Sequence, residues 1–182
     1  MRSLQIGLLV VSVIVAGCGG QGTSAAPREG GPLRSGAPIT LGISAKVGER
    51  FTFGAIYVTN PTDEPLTLTE VRWSKKPEEV RFLGSGVAGP DRPFSIGESA
   101  RFPDPRLSEF VEPVAGYEIT RAEADGLDTE ILLGLSPTRP GRFEIDGVEV
   151  HYRSGTQHYV RRIDSKLVLC VVAKPPLGRE CV

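Results

Sequence analysis

The chain has 182 residues, 40% of them hydrophobic, which is enough for one domain of ordinary size with its own core and too little for two comfortable ones. Its 21 Lys and Arg nearly cancel its 22 Asp and Glu. No basic excess marks a nucleic-acid partner, and no long basic run suggests another polyanion.

The first seventeen residues carry one cation, Arg2, then an apolar stretch from Leu4 to Val15, then Ala16 and Gly17 before Cys18. That is the layout of an export signal. A membrane-spanning helix needs about 20 apolar residues, whereas this run is shorter, contains Gln5 and Ser12, and ends in Gly-Cys-Gly-Gly. Val15-Ala16-Gly17-Cys18 resembles the lipobox of bacterial lipoproteins: an aliphatic residue, a small residue, Gly or Ala, then Cys. The resemblance implies cleavage of residues 1–17 and acylation of Cys18, typically with palmitate-like chains. Two or more such chains anchor stably, each buried CH₂ contributing about 0.8 kcal/mol. The expected location is the extracytoplasmic side of the cell membrane, with the membrane itself as one partner. Gly19 in place of Asp implies, by the same resemblance, that transfer to an outer membrane is permitted where the envelope has one.

Gly19 to Ala37 is rich in Gly, Ser, Ala and Pro, with Leu33 its one large apolar side chain. Such a composition predicts a flexible tether. The expected organisation is therefore a leader over 1–17, a lipidated cysteine and linker over 18–37, and one folded domain over 38–182.

Beyond Pro38, short runs of Val, Ile, Leu, Phe, Tyr and Thr are divided by Pro, Gly, Asp and Asn, and 15 prolines with 22 glycines leave little room for helices. "ERFTFGAIYVTN" predicts a strand with Phe51, Phe53, Ala55 and Tyr57 on one face and Ile56 and Val58 on the other. "NPTDEP" supplies turn chemistry. In "LTLTEVRW" the apolar set moves from Leu66 and Leu68 to Val71 and Trp73, a change of parity that requires a bulge near Thr69 or Glu70. "EVRFLGS" reads as a strand, "GSGVAGP" as a flexible loop, "FPDPRLSEFVEPV" as a loop or edge, and "AEADG" as at most one helical turn.

Four strand candidates follow: "TEILLGLSP", "GRFEIDGVEVHYRSG", "TQHYVRRI" and "KLVLCVVA". Asp146-Gly147 suits either a type I′ hairpin turn or a bulge. The parity switch from Phe143 and Ile145 to Val148, Val150 and Tyr152 favours one long strand with a bulge. This spacing predicts an all-β, antiparallel sandwich. "TNPTDEPLTLTEV" and "LSPTRPGRFEIDGVEVHYRSG" are similar to strand-turn-strand segments of bacterial immunoglobulin-like modules. That resemblance implies an immunoglobulin-like sandwich and carries no functional residue with it.

Several constellations bear on chemistry. With Cys18 acylated, Cys170 and Cys181 remain, and export to an oxidising compartment favours a disulfide between them; no Cys-x-x-Cys spacing points to redox activity. If Ser154-Gly155 is a two-residue turn, His151 faces His158, and with Glu149 nearby a copper or zinc site is conceivable. The competing reading is a solvated hairpin face, and no cofactor is assigned. No Gly-x-Ser-x-Gly elbow or phosphate loop is present, and the carboxylate pairs Glu78-Glu79 and Asp104 with Glu109 read as solvated. Trp73 suits core filling. The irregular apolar segment bearing Phe94, Phe102, Leu107 and Phe110 is the preferred binding surface. The expected function is non-catalytic binding of another envelope protein, with metal handling or an unrecognised hydrolase as competing classes and the oligomeric state open.

Overall fold

A computed structural model describes residues 26–121 and 127–172. Its strands are β1 (Arg28–Glu29), β2 (Arg34–Ser35), β3 (Thr40–Lys46), β4 (Phe51–Thr59), β5 (Leu66–Lys75), β6 (Val80–Ala88), β7 (Glu98–Ser99), β8 (Val111–Pro113), β9 (Glu118–Ile119), β10 (Thr129–Pro137), β11 (Gly141–Ser154) and β12 (Gln157–Val172), with one 3₁₀ turn at Pro105–Leu107. One sheet runs β1-β12-β11-β5-β9 with β3 also on β12; the other runs β2-β4-β10-β6-β8 with β7 also on β4. The partition β2-β4-β10-β6 against β5-β11-β12 is that of an immunoglobulin fold. The protein is an all-β, immunoglobulin-like sandwich, antiparallel except where β1 and β3 run parallel to β12.

The two parity switches in the sequence are register shifts in the sheet. Opposite β5, His151 pairs with Glu70 and Tyr152 with Leu68, so Thr69 is the extra residue. The shift lets Leu66, Leu68 and Val71 all reach the core. On the β12 side of β11 the register slips between Asp146 and Val148. Gly147 sits there at φ +68, a conformation that disfavours a side chain. "TQHYVRRI" and "KLVLCVVA" form one strand, β12, because the same slip absorbs Asp164 and Ser165 without ending the ladder.

A third shift was hidden in the sequence. On β4 the register moves between the partners of Ile131 and Leu133, and Ala55 takes φ +58. Phe51 and Phe53 thus share the core with Ile56 and Val58, rather than dividing between faces. Because both faces of this strand are apolar, alternation carried no sign of the slip.

The sandwich also begins earlier than Pro38. β1 pairs with Tyr159 and Val160, β2 with Val58 and Thr59, and Leu33 between them is fully buried. Burying one leucine stabilises by about 1.5–3 kcal/mol, enough to recruit a segment whose average composition is that of a linker. Tyr152 completes the attachment, its hydroxyl donating to the Gly30 carbonyl at 2.7 Å and accepting from the Leu33 amide at 3.2 Å. The expected turn at Asn60 is present, its side chain accepting from Thr62 and donating to the carbonyls of Glu64 and Ile119.

Candidate functional site

In β10 the burial is unbroken from Thr129 to Pro137, so both faces of this central strand are covered. The inner face packs in the core. The outer face is covered by the long excursion between β6 and β10, and glycines on the sheet receive it. Gly134 on β10 lies opposite Gly84 on β6, and Leu132 opposite Gly86. A Cβ on Gly134 would stand 2.2 Å from the Phe102 ring, and one on Gly86 would stand 2.6 Å from Val111. Phe102 and Val111 are therefore the two feet of an arch, each resting where the sheet lacks a side chain. "GSGVAGP" belongs largely to β6 rather than to a free loop, and two of its glycines, Gly84 and Gly86, face the feet of this arch, while Gly89 faces Tyr117.

Between the feet the chain spans an open cavity of about 450 Å³. Thr52 and Leu132 contribute the sheet side; Pro103, Pro105, Leu107 and Pro113 contribute the arch. The span is pinned at several points. β7 pairs with β4 and β8 with β6, and Thr52 Oγ1 donates to the Arg101 carbonyl at 2.6 Å. Asp104 caps the 3₁₀ turn, accepting from the Arg106 amide at 3.0 Å, from Arg106 Nη2 at 2.7 Å and from Ser99 Oγ at 2.5 Å. Its side chain is only 1% exposed, so the expectation of a solvated carboxylate at this position is corrected: the serine and arginine replace water. Hydrogen bonds from Arg106 and then Ser99 hold its carboxyl well below the usual aspartate range. Asp104 is thus an ionised structural acceptor rather than a proton donor.

A second buried acid holds the other end of the excursion. Glu130 on β10 is fully buried and accepts from the amides of Ala55, Ile96 and Gly97 at 3.1, 2.9 and 2.7 Å. Arg92 reaches it and donates through Nη1 to the carbonyls of Ala88, Gly89 and Asp128. Sequence reasoning missed both residues, since nothing local distinguishes one Arg and one Glu far apart in the chain. For Gly134 there was a signal: a glycine inside an apolar strand marks close approach by another chain segment.

Of the four aromatic and aliphatic residues expected at a binding face, Phe102 and Leu107 line the cavity. Phe94, 47% exposed, meets Phe110 edge to face at 5.8 Å on the outside of the same excursion. Trp73 is partly buried and stacks on Phe53 at 6.0 Å, a core role.

The facing-histidine arrangement is corrected. The hairpin loop is Gly155-Thr156, closed by Ser154 opposite Gln157. Gly155, at φ +54, occupies the first loop position, where a type II′ turn needs glycine. His151 therefore faces Val160, and His158 faces Arg153. His151 Nε2 lies 3.8 Å from Glu149 Oε2. Among the described residues no three His, Cys, Asp or Glu side chains converge as a metal site. Cys170 is buried on β12, while Cys18 and Cys181 lie outside the described residues, as does the "AEADG" segment. Among the described residues no helix is long and apolar enough to cross a membrane.

No family model and no curated protein matches this chain. Among solved structures, the CooA pilin subunit of enterotoxigenic Escherichia coli aligns at a TM-score of 0.37 and 9% identity, over 78% of this chain and 99% of its own. The seventh PapD-like domain of human CEP192 aligns at 0.36 and 9%, over 96% and 100%. The VesB protease of Vibrio cholerae aligns at 0.36 and 13%, over 77% of this chain, which spans about a third (32%) of the protease chain.

Proposed function

We propose that this protein is a lipid-anchored, non-catalytic recognition module on the extracytoplasmic side of a bacterial membrane, binding another envelope component through the arch on its second sheet. The observation that carries the reading is the pinned, open apolar cavity in the excursion that also bears exposed Phe94 against half-buried Phe110. Cavities of this size, mostly apolar and with few polar groups, are the usual form of a binding site. The acid at its edge, Asp104, is kept ionised by its own partners, which suits a structural role better than acid-base chemistry.

Anchoring rests on the lipobox. Only nine residues lie between Cys18 and Arg28, the first strand residue, so ten Cα–Cα steps would let the acylated residue and the sandwich stand at most about 35 Å apart. A short leash of this kind raises the effective concentration of the module near a partner in the same membrane. Specificity would come from the cavity, and occupancy from the anchor.

The test combines two measurements on the protein produced in bacterial membranes. Mass spectrometry of the amino-terminal peptide should find Cys18 acylated and residues 1–17 removed. A photo-cross-linking side chain at Phe94 should yield one discrete protein adduct, lost in Leu107→Asp and weakened in the unanchored Cys18→Ser form. An unmodified Cys18 overturns the anchoring; absence of an adduct, or one indifferent to Leu107→Asp, overturns recognition at the arch.

A further inference from the structure

The cavity has a chemical character that narrows its occupant. Protein interiors rarely keep voids larger than a water molecule, and an apolar cavity of about 150 Å³ already admits benzene. The space under the arch is about 450 Å³, room for two or three rings. It does not close because its two feet are fixed, Phe102 over Gly134 and Val111 over Gly86. Three prolines of the lining, Pro103, Pro105 and Pro113, restrict the span between and beside them.

Charge adds the second constraint. The ionisable lining residues are Asp104 and Glu112, and no Lys or Arg lines the space. Asp104 is compensated by Arg106, whose guanidinium is largely exposed. Among the described residues Glu112 has no ion-pair partner. An anion entering here would leave water for the neighbourhood of carboxylates, which is costly. Of the three lining hydroxyls, those of Thr52 and Ser108 are already committed as donors to the carbonyls of Arg101 and Pro105, which leaves Ser85 as the one uncommitted hydroxyl of the lining among the described residues. Little remains to attract a negatively charged group.

Resting on the reading of the arch as a binding site, we infer that the cavity accepts a compact ring-bearing apolar molecule that is neutral or cationic, and discriminates against anions. Its contacts are the Leu132 and Leu107 side chains, the Phe102 ring and the proline faces. Glu112 sets the charge preference at the edge.

Two fluorescent probes with one ring skeleton test this: N-phenyl-1-naphthylamine, which is neutral, and 8-anilino-1-naphthalenesulfonate, which adds a sulfonate. The protein is the mature chain from residue 18 with Cys18→Ser, so that neither acyl chains nor detergent compete; every strand of the sandwich lies within it. The neutral probe should bind with one-to-one stoichiometry, and the sulfonate at least tenfold more weakly. Leu107→Ser and Ser108→Trp, both outside the sandwich core, should each weaken the neutral probe at least fivefold with an unchanged circular dichroism spectrum. Glu112→Gln should narrow the gap between probes without altering the neutral one. Failure to saturate at one equivalent, indifference to both cavity variants, or a sulfonate that binds as well as the neutral probe overturns the inference. Any of these outcomes beside a Leu107-dependent adduct at Phe94 removes the ligand class alone and leaves protein recognition standing.

Discussion

Arg92 Nη2 lies 3.1 Å from Glu130 Oε2, and both side chains are sealed from solvent, at 1% and 0% exposure. The pair closes a circuit. Glu130 gathers three amides from the β4 bulge and the start of the arch, while Arg92 gathers three carbonyls from the end of β6 and the approach to β10. The left-handed backbone of Ala55, unfavourable for a residue with a Cβ, is held by one of those amide bonds.

Removing one member of a buried ion pair leaves the other charge uncompensated, at a cost of about 3–5 kcal/mol. Arg92→Leu should therefore lower the unfolding free energy by about that amount in urea titration. Glu130 cannot be rescued by a second apolar substitution, because three amides would lose their acceptor. Arg92→Leu/Glu130→Leu should be no more stable than Arg92→Leu alone, and recovery of wild-type stability by the double variant contradicts the circuit.

What the sequence disclosed, and what it concealed, follows from where each signal resides. The bulges at Thr69 and Gly147 were legible because each strand has one polar and one apolar face, so a slip leaves a mark in the parity of its hydrophobic residues. β4, apolar on both faces, recorded no such mark at Ala55. The aromatic residues of the arch were visible as large apolar groups in an irregular segment, and Gly134 as a glycine inside an apolar strand, yet which residue rests on which glycine was not, since Gly84, Gly86 and Gly134 meet Phe102 and Val111 only through tertiary structure. Leu33 was noticed but assigned to a tether, because composition averages over a window and a single buried anchor does not.

Asp104 gives the arch a defined response to acid. Its carboxyl is held low by Arg106 and Ser99, so the unfolded state takes up a proton first as pH falls. The resulting stability is fully present above the ordinary aspartate value of about 3.9 and declines as pH drops from there toward the folded value. The difference in urea midpoint between wild type and Asp104→Asn should be constant from pH 7 to pH 5 and shrink by pH 3. Exchange protection at the Arg106 amide, which donates to this carboxylate, should fall in step. A difference that grows on acidification contradicts the assignment.

If Cys170 pairs with Cys181, as the sequence leads one to expect, a denaturing alkylation should label neither residue without reductant and both after reduction. Closing a loop this short stabilises by about 3 kcal/mol in the chain-entropy description. Cys181→Ser should lower stability by up to that amount under oxidising conditions and by nothing in excess reductant. It is the better variant because Cys170 is buried on β12, where a polar replacement brings a cost of its own. Alkylation of either thiol in the unreduced protein refutes the pairing.

Tyr152 decides where the sandwich begins. Its hydroxyl is the bond between β11 and the Gly30 to Leu33 segment, and burial raises its pKa, consistent with a phenol enclosed by that strap. Tyr152→Phe removes two hydrogen bonds and retains the ring; the Gly30 carbonyl and Leu33 amide should each lose on the order of 1 kcal/mol of support. Leu33→Ala removes the apolar plug and should cost about 2–5 kcal/mol if the space stays open. The two changes differ in reach. The first should raise amide exchange over residues 28–35 while leaving exchange in β10 and β11 unchanged, whereas the second should lower global stability as well. Protease sites at Arg28 and Arg34 should become accessible in Tyr152→Phe before any site in the sandwich, because the strap is released. Equal exchange over residues 28–35 in wild type and Tyr152→Phe means that the phenol does not hold this segment.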